Sequence, residues 1–476
     1  MMRLDVLSGD VAADHAAAQV TGFAIDHRKV APGTVFGAFQ GARVNGEDFI
    51  EQAVAAGAVA VVARPEAKVT GAPHLADPNP RRLFAQLAAR FFAPFPEVCV
   101  AVTGTNGKTS TVELTRQLWR ALGHKAASIG TLGVTTSVDQ VSTGLTTPDI
   151  VTFLSNMAGL RKEGITHAAF EASSHGLSQY RTEGLPVLAG AFTNLSRDHL
   201  DYHGDMESYF EAKMRLFDEV VSDGGAAVIW TDDPKSGDVI ERAQRRGLRL
   251  FTVGEAGEAL RLVSREPTHL GQRLVIAAEG KDYKVELPLI GAYQAANALV
   301  SAGLVIATGI SAERVLPMLA RVQPVRGRLE RAVLTKAGAP VYVDYAHTPD
   351  GLRAAIEALR PHTRGRLITV FGAGGDRDPG KRPLMGKVAA ELSDLVIVTD
   401  DNPRSENPTV IRSAILAGAP TAREVDGRRA AIAAAVTEAG ADDIVLLAGK
   451  GHEQGQVIGD RVLPFDDVEV ARECAQ

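Results

Sequence analysis

The sequence VCVAVTGTNGKT, residues 98–109, decides the fold. An apolar run, Val98–Val102, is followed by a glycine-containing turn and then by a segment with helical spacing, Thr111–Leu122. In a strand–turn–helix of this kind, backbone N–H groups and the helix N-terminus form a site for an anion. The motif therefore predicts a phosphate-binding loop, in which Lys108 reaches the outer phosphates and the Thr109 hydroxyl ligates Mg²⁺.

The loop is a variant of the strict Walker pattern. That pattern has glycine five residues before Gly107, and this chain has Val102 there. The alternative is an ordinary tight turn, which the strand and helix on either side disfavour. The predicted phosphate-binding residues are Gly104, Thr105, Asn106, Gly107, Lys108, Thr109 and Ser110.

Apolar runs alternate with helical segments on both sides of the loop, which is typical of a parallel sheet covered by helices on both faces. Strands are predicted at residues 167–170, 188–192, 226–230, 341–345, 367–371, 395–399 and 444–448. A helix is predicted over Leu83–Phe92, and the prolines after it mark a boundary near residue 95. We predict an α/β protein of three domains: a small mixed α/β N-terminal domain (1–95), a central P-loop parallel-sheet ATPase domain (96–326) and a Rossmann-like C-terminal domain (327–476).

Composition excludes several other classes of protein. The chain has 476 residues and a net charge of −6, and no basic run offsets that charge, which argues against a nucleic-acid partner or an anionic membrane surface. Two cysteines far apart indicate neither a disulfide framework nor a zinc site. The N-terminus lacks the pattern of a signal peptide. The uncharged stretch Leu287–Ala312 is polar enough to favour a buried helix over a membrane span.

Polar residues follow several predicted strands, at the sheet edge where open α/β proteins bind ligands. In the central region these are Glu171 and His199, whose alternative roles are a helix cap and part of a polar turn. In the C-terminal region they are residues 375–377, 401–404 and 449–453. Their convergence at one edge favours a ligand site over three unrelated turns.

Beyond the loop, several motifs extend along nearly the whole chain: Thr146-Thr147-Pro148, residues 171–177 (EASSHGL), residues 193–204 (TNLSRDHLDYHG), residues 344–349 (DYAHTP) and Asp401-Asn402-Pro403-Arg404. With TGTNGKT, this set resembles the ATP-dependent Mur ligases of cell-wall precursor synthesis and their relatives, the folylpolyglutamate synthetases. Residues 401–404 resemble the members that add meso-diaminopimelate to UDP-N-acetylmuramoyl-L-alanyl-D-glutamate.

The resemblance implies further nucleotide and metal residues. Asn297, Arg328, Asp344 and His347 match positions that approach ATP, and Thr109, Glu171 and His199 match a Mg²⁺ site. By propensity Lys213 is a solvated helix lysine, but it matches a carbamylated lysine of the family. With Lys108 and His199 it forms the predicted catalytic set.

The resemblance also implies the substrate contacts. The matching positions for the UDP-sugar dipeptide are Ile25, His27, Ala42, Arg43, Val44, Thr146, Thr147, Ser173, Gln179 and Arg181. Those for diaminopimelate are Arg377, Asp401, Asn402, Pro403, Arg404, Gly449 and Glu453. Two positions depart from the family: His27 stands where serine is frequent, and Leu145 where asparagine is frequent.

The implied reaction passes through an acyl phosphate, which the amine of diaminopimelate attacks, and it needs no nucleophilic side chain. No residue stands out as a general base. We expect a cytoplasmic monomer that synthesises a peptidoglycan precursor, with ATP and Mg²⁺ and without nucleic acid or membrane insertion. The alternatives are a related ligase that adds L-lysine, folylpolyglutamate synthetase, and a P-loop ATPase switch.

Overall fold

The structure, a computed structural model, describes residues 1–9, 12–41, 44–137, 139–141, 146–268 and 271–476. The chain folds into two compact units. The first contains residues 1–261 and 299–315, and the second contains residues 262–298 and 316–476.

The N-terminal part of the first unit is built on a small parallel sheet of four strands, in the order β3-β4-β5-β6. Its elements are β1 (Met2–Arg3), α1 (Leu4–Leu7), β2 (Gln19–Val20), β3 (Gly22–Ala24), β4 (Thr34–Gly37), α2 (Ile50–Ala55), β5 (Ala58–Ala63), β6 (His74–Ala76) and α3 (Pro80–Phe92). The Asn79 side chain caps α3, and Pro80 occupies its first turn, so the helix begins three residues before the predicted Leu83.

The central part of the first unit contains the predicted parallel sheet. Its elements are β7 (Val98–Thr103), α4 (Lys108–Ala121), β8 (Ala126–Gly130), β9 (Gly133–Thr135), β10 (Gln140–Val141), α5 (Ile150–Lys162), β11 (His167–Glu171), α6 (Ser174–Ser178), β12 (Val187–Phe192), α7 (Leu200–His203), α8 (Met206–Arg215), β13 (Val221–Trp230), α9 (Ser236–Arg245) and β14 (Arg249–Gly254). The strand order is β10-β9-β8-β11-β7-β12-β13-β14; the pairs from β8 to β14 are parallel as predicted, whereas the β10–β9 and β9–β8 pairs are antiparallel.

Strand β7 lies between β11 and β12 in this sheet, and both pairs are parallel. Glu171, the last residue of β11, is in register with Val102, and Phe192, the last residue of β12, with Thr103. The turn after β7 therefore lies at the same sheet edge as the segments that follow both neighbours.

From residue 260 onward the chain forms β15 (Leu260–Thr268), β16 (Gly271–Ala278), β17 (Lys281–Leu287), α10 (Ala292–Ala307), α11 (Ala312–Val315), β18 (Glu330–Leu334), β19 (Pro340–Asp344), α12 (Pro349–Leu359), β20 (Leu367–Phe371), α13 (Lys381–Leu392), β21 (Leu395–Val398), α14 (Pro408–Leu416), β22 (Arg423–Glu424), α15 (Arg428–Glu438), β23 (Ile444–Ala448), β24 (Gly455–Ile458), β25 (Arg461–Pro464) and α16 (Asp467–Cys474). Helix α10 occupies the uncharged stretch. No helix in the described part of the chain combines the length and the apolar character that crossing a bilayer requires.

The sheet of the second unit has the order β18-β19-β23-β20-β21-β22, and only the β18–β19 pair is antiparallel. Successive residues of β23 pack on opposite faces of the sheet. Leu446 belongs to the core beneath α12, α13 and α14, whereas Val445 belongs to the core beneath α15 and α16. Because β19, β20, β21 and β23 run parallel, the segments that follow them meet at one edge.

Candidate functional site

The predicted phosphate loop has the backbone that its glycines allow. Gly104 has φ +144° and Gly107 has φ +86°, both in the region that favours glycine. A Cβ atom at Gly104 would collide with the Thr193 hydroxyl. Helix α4 begins directly after Gly107, so the loop and the first turn of the helix present backbone N–H groups as an anion site requires.

The segment after β12 holds this loop in place. Thr105 N donates to Asn194 O at 2.8 Å, and Asn106 N donates to Asn194 Oδ1 at 2.9 Å. The Thr105 hydroxyl donates to Ser196 O at 3.1 Å and accepts from Ser196 N at 2.9 Å. The segment TNLS at residues 193–196 therefore holds the phosphate loop in its conformation through these hydrogen bonds.

Two lysine side chains converge on one oxygen of the loop. Lys108 Nζ donates to Gly104 O at 2.9 Å, and Lys213 Nζ donates to the same oxygen at 2.8 Å. Lys213 is 1% exposed, and its Nζ lies 4.2 Å from the centre of the Tyr209 ring. Burial, followed by the Lys108 charge, holds the pKa of Lys213 well below its ordinary value, and Asp198 opposes the shift only in part. The Lys213 amine is therefore unusually easy to obtain in its neutral form.

The three predicted metal ligands have different surroundings. Glu171 is 2% exposed, and its carboxylate accepts from Thr131 N at 2.7 Å. Thr109 is buried in the first turn of α4. His199 has φ +52°, is about half exposed and lies 3.5 Å from the Asp198 carboxylate. Within the described ranges, no three His, Cys, Asp or Glu side chains form a group that could hold a metal. A cation here would depend mainly on the oxygens of Thr109 and Glu171, which are the ligand type that Mg²⁺ prefers.

Four of the predicted dipeptide-binding residues form one hydrogen-bonded network. Thr147 Oγ1 lies 3.0 Å from Ser173 Oγ, Arg181 Nη1 donates to Thr147 O at 2.9 Å, and Arg181 Nη2 donates to Gln179 Oε1 at 2.7 Å. Thr146 lies beside this network, with its hydroxyl 3.1 Å from the Thr131 hydroxyl.

The predicted uridine contacts lie in the N-terminal part. The side chains of Ile25 and Val44 are exposed. His27 stacks on Phe49, with ring centres 4.2 Å apart and an interplanar angle of 3°. Its imidazole therefore provides a flat surface where the family frequently has a small serine. Ala42, Arg43 and Leu145 lie outside the described residues.

In the second unit, Asp344 ends β19 and is buried. Its two oxygens accept from Leu329 N at 2.7 Å and from Ala346 N at 2.8 Å. Burial raises the pKa of this carboxyl, and the Arg328 charge and the two backbone hydrogen bonds oppose the shift.

The other predicted ATP residues of the second unit are Arg328, His347 and Asn297. The Arg328 guanidinium lies over the Tyr345 ring, 4.8 Å from its centre. His347 Nδ1 lies 2.9 Å from Tyr345 O. Asn297 is buried within α10, where its amide donates to Gln294 Oε1 at 3.4 Å.

Residues after β21 and β23 meet in a buried polar cluster. Lys450 is 0% exposed, donates to Asn402 Oδ1 at 3.0 Å and lies 3.4 Å from a Glu453 oxygen. Asn402 donates to that Glu453 oxygen at 2.8 Å. Asp401 lies 3.8 Å from Lys450, and its Oδ1 has no hydrogen-bond partner among the described residues. The cluster thus contains a buried carboxylate oxygen able to accept a hydrogen bond from a ligand.

The predicted arginines lie around the same sheet edge. Arg404, half-buried, has φ +52° and donates to Gly375 O at 2.7 Å. Arg377 is exposed, and its guanidinium donates to Asp376 O at 3.3 Å. Gly449 has φ +115°, and its N–H donates to Asp344 O at 3.1 Å. Pro403 is buried between Asn402 and Arg404. The structure shows no direct contact between Arg404 and Glu453 in the described part of the chain.

Two residues of this edge escaped the sequence prediction. Lys450 lies within the predicted segment 449–453 but has no predicted role of its own, although a lysine between two glycines at a strand end is a recognisable signal. Lys381 donates to His347 O at 2.8 Å, and burial lowers the pKa of its amine. No local sequence signal distinguishes Lys381 from a surface lysine.

A phosphate loop on a parallel sheet, with a second sheet whose polar residues gather at its carboxyl edge, defines a nucleotide-binding α/β protein of the P-loop class. Three family models match the chain: "Mur ligase family, catalytic domain" at residues 19–92, "Mur ligase middle domain" at 102–305, and "Mur ligase, glutamate ligase domain" at 327–451. The chain belongs to the Mur ligase family, and its members are ATP-dependent ligases that form amide bonds.

Two curated relatives and one solved structure carry the same name, UDP-N-acetylmuramoyl-L-alanyl-D-glutamate–2,6-diaminopimelate ligase. The Zymomonas mobilis protein is 63% identical over 96% of this chain and 94% of its own length. The Bradyrhizobium diazoefficiens protein is 52% identical over 98% of this chain and 97% of its own length. The solved structure has a TM-score of 0.77 and 31% identity, and it covers 100% of this chain and 98% of that one. The predicted family and the predicted three-domain α/β fold are confirmed.

Proposed function

We propose that this protein adds meso-diaminopimelate to the D-glutamate of UDP-N-acetylmuramoyl-L-alanyl-D-glutamate, with ATP, in the synthesis of a peptidoglycan precursor. The observation that carries this proposal is the 63% identity, over 96% of the chain, to a ligase named for this reaction. The reaction transfers the γ-phosphoryl group of ATP to the side-chain carboxylate of D-glutamate. The diaminopimelate amine then attacks the acyl carbon, phosphate leaves, and the nitrogen loses a proton.

The loop after β7 binds the ATP phosphates. Lys108 exchanges its bonds to the Gly104 and Thr105 carbonyls for bonds to phosphate oxygens, and the N–H groups in the first turn of α4 contribute further. Further residues assigned to the nucleotide are Asn297, Arg328, Asp344 and His347. Together these groups neutralise charge and align the reactants, which is most of what phosphoryl transfer requires of a protein.

Thr109, Glu171 and His199 would hold Mg²⁺, which supplies positive charge at the phosphates. The oxygen ligands from Thr109 and Glu171 suit Mg²⁺, and the His199 imidazole is a less usual ligand for this ion. Lys213 is carbamylated when its neutral amine, which burial favours, forms an N–C bond to CO₂ and releases one proton to solvent. The product is a carboxylate next to the Lys108 ammonium, where two lysine amino groups otherwise donate to one carbonyl oxygen. The modification thus places a negative charge beside Lys108.

The substrates bind at the two sheet edges. Residues 146, 147, 173, 179 and 181 bind the sugar dipeptide, and residues 25, 27 and 42–44 bind the uridine. Diaminopimelate has two amino-acid ends. Arg404 pairs with the distal carboxylate and Glu453 with the distal ammonium, while Arg377 binds the reacting end.

The domains are assigned as 1–95 for the UDP-sugar, 96–326 for ATP and 327–476 for the amino acid. A single copy of the chain contains all of the proposed groups, which supports a monomer. The cytoplasm is proposed from the family resemblance, because the family makes its precursors there.

The test is phosphate release from ATP in the presence of the UDP-muramoyl dipeptide, with meso-diaminopimelate, L-lysine or no amino acid. We expect release that depends on diaminopimelate. Equal release with L-lysine would reassign the amino acid, and release without any amino acid would favour an ATPase switch.

A further inference from the structure

Arg81, in the first turn of α3, is a half-buried cation that the predicted site did not include. Its Nη2 donates to Gln40 O at 3.0 Å, and its guanidinium lies 4.8 Å from the centre of the Phe39 ring. It forms no ion pair with a carboxylate of the described residues. Its neighbour Arg82, by contrast, lies 3.7 Å from the Glu219 carboxylate.

Arg181 is a second half-buried arginine that forms no ion pair with the residues described. Its three guanidinium hydrogen bonds go to a neutral carbonyl, Thr147 O, and a neutral amide, Gln179 Oε1. Asp149 exerts a favourable charge on it, but the Asp149 oxygens cap α5 through Val151 N and Thr152. Both arginines therefore keep most of their charge unneutralised.

The fold places these two arginines beside each other. Asn79, two residues before Arg81, donates from its amide to the hydroxyl of Tyr180 at 2.5 Å, and Tyr180 directly precedes Arg181. Burial lowers the pKa of Arg81, Tyr202 opposes that shift, and the Arg181 charge lowers the pKa further, as a cation close by would. Two half-buried like charges side by side are unfavourable unless an anion lies between them.

We propose that Arg81, with Arg181, binds the diphosphate of the UDP-sugar substrate. The assignment rests on the proposed function and on where each arginine is attached. Arg81 contacts Gln40, which directly precedes the loop predicted to bind uridine, and Arg181 contacts Thr147 and Gln179, which are predicted to bind the sugar dipeptide. In the substrate the diphosphate joins these two parts. The planar guanidinium group donates two parallel hydrogen bonds to phosphate oxygens, which suits arginine to this position.

The test compares Arg81→Gln with Arg82→Gln, a matched control one residue away on the same helix. We expect Arg81→Gln to raise the KM for the UDP-muramoyl dipeptide by about 10- to 100-fold, the range for a lost hydrogen bond to a charged group. The KM values for ATP and diaminopimelate should stay unchanged. Arg82→Gln should match the wild type, and Arg81→Lys should recover part of the loss because it keeps the charge.

Calorimetric binding of UDP-N-acetylmuramic acid separates the diphosphate from the dipeptide and does not depend on turnover. We expect Arg81→Gln to weaken this binding by the same factor as the KM. Unchanged binding of this ligand, with or without a raised KM for the full substrate, would overturn the diphosphate assignment. If the wild type bound the ligand but released no phosphate with diaminopimelate, the proposed function would fail while the arginine site remained testable.

Discussion

Replacing Lys213 distinguishes a carbamylated lysine from a buried structural one. The apolar substitution Lys213→Met keeps the length of the side chain and cannot be carbamylated. If Lys213 is only structural, methionine removes one hydrogen bond to Gly104 O, worth about 1 kcal/mol net. It also removes a buried cation beside Lys108, which offsets that loss. On this reading, both stability and activity change little.

If Lys213 is carbamylated, the same substitution removes a preorganised negative charge next to the phosphate loop. Losing one preorganised group in an active site costs about 10²- to 10³-fold in kcat. We therefore expect Lys213→Met to fold with near wild-type stability and to lose about that much activity.

Lys213→Ala gives the complementary test. Because the side chain is 1% exposed, shortening it removes about three buried methylene groups, or roughly 2–3 kcal/mol of stability at about 0.8 kcal/mol each. It also opens space for a small carboxylic acid, and we expect acetate or propionate to restore part of the ligase activity. Steady-state phosphate release and urea unfolding measure both effects. Full activity of Lys213→Met, or an unmodified lysine in mass spectrometry under conditions that preserve carbamates, would show that catalysis does not depend on a carbamate at Lys213.

Three further predictions follow from named residues. Lys108→Ala should lose at least about 10²-fold in ATP-dependent phosphate release with little change in the urea midpoint, because the hydrogen bonds of its ammonium to Gly104 O and Thr105 O lie within the loop; normal turnover would remove the loop from the mechanism. Arg404→Ala should weaken the use of diaminopimelate by roughly 30-fold or more and collapse the preference over L-lysine, since unpairing a buried charge costs about 2–5 kcal/mol. We expect a cost near the lower end of this energy range, because Arg404 is half-buried and already donates to Gly375 O. An unchanged preference would show that Arg404 only stabilises the loop that contains Gly375. Burial, aided by His124, lowers the pKa of His167 from 6.5 to about 4, so protonation favours the unfolded chain. The free energy of unfolding should fall by about 1–2 kcal/mol as pH drops from 6.5 towards 4, after allowance for the partly exposed ring. His167→Phe, which keeps the contact with Trp119, should show a smaller fall, and an identical pH profile would contradict the assignment.

Much of the fold could be predicted because local patterns and global packing agree. The strand Val98–Thr103, its glycine turn and helix α4 follow directly from apolar run, turn and helical spacing. Asn402 and Glu453 are 51 positions apart in the sequence, and the rule that parallel strands end at one edge was enough to predict that they meet.

Strands β15 to β17 were not predicted. Their residues, 260–287, carry many charged side chains, and in β16 and β17 buried positions such as Leu274, Ile276, Val285 and Leu287 alternate with more exposed ones. Antiparallel strands with one solvated face give a weaker hydrophobic signal than the buried strands of a parallel sheet. The many charged residues in this region therefore make the alternation of apolar and polar side chains, which is typical of strands, hard to detect.

Long-range burial was also beyond the sequence. The residues around Lys213 predict an amphipathic helix with an exposed lysine, yet packing of α8 against the phosphate loop leaves the side chain 1% exposed. Arg81 lies on α3 among residues of ordinary helical composition, and its approach to Arg181 depends on tertiary contacts such as the hydrogen bond between Asn79 and Tyr180, 101 positions apart. Such contacts depend on tertiary structure and leave no local trace.

The most direct test of the account is the mass of the product formed from the UDP-muramoyl dipeptide, ATP and an equal mixture of meso-diaminopimelate and L-lysine. We predict a product heavier by one diaminopimelate residue, formed together with one ADP and one phosphate, and almost no lysine adduct. A product that carried both amino acids equally, or ADP formed without any amide product, would contradict it.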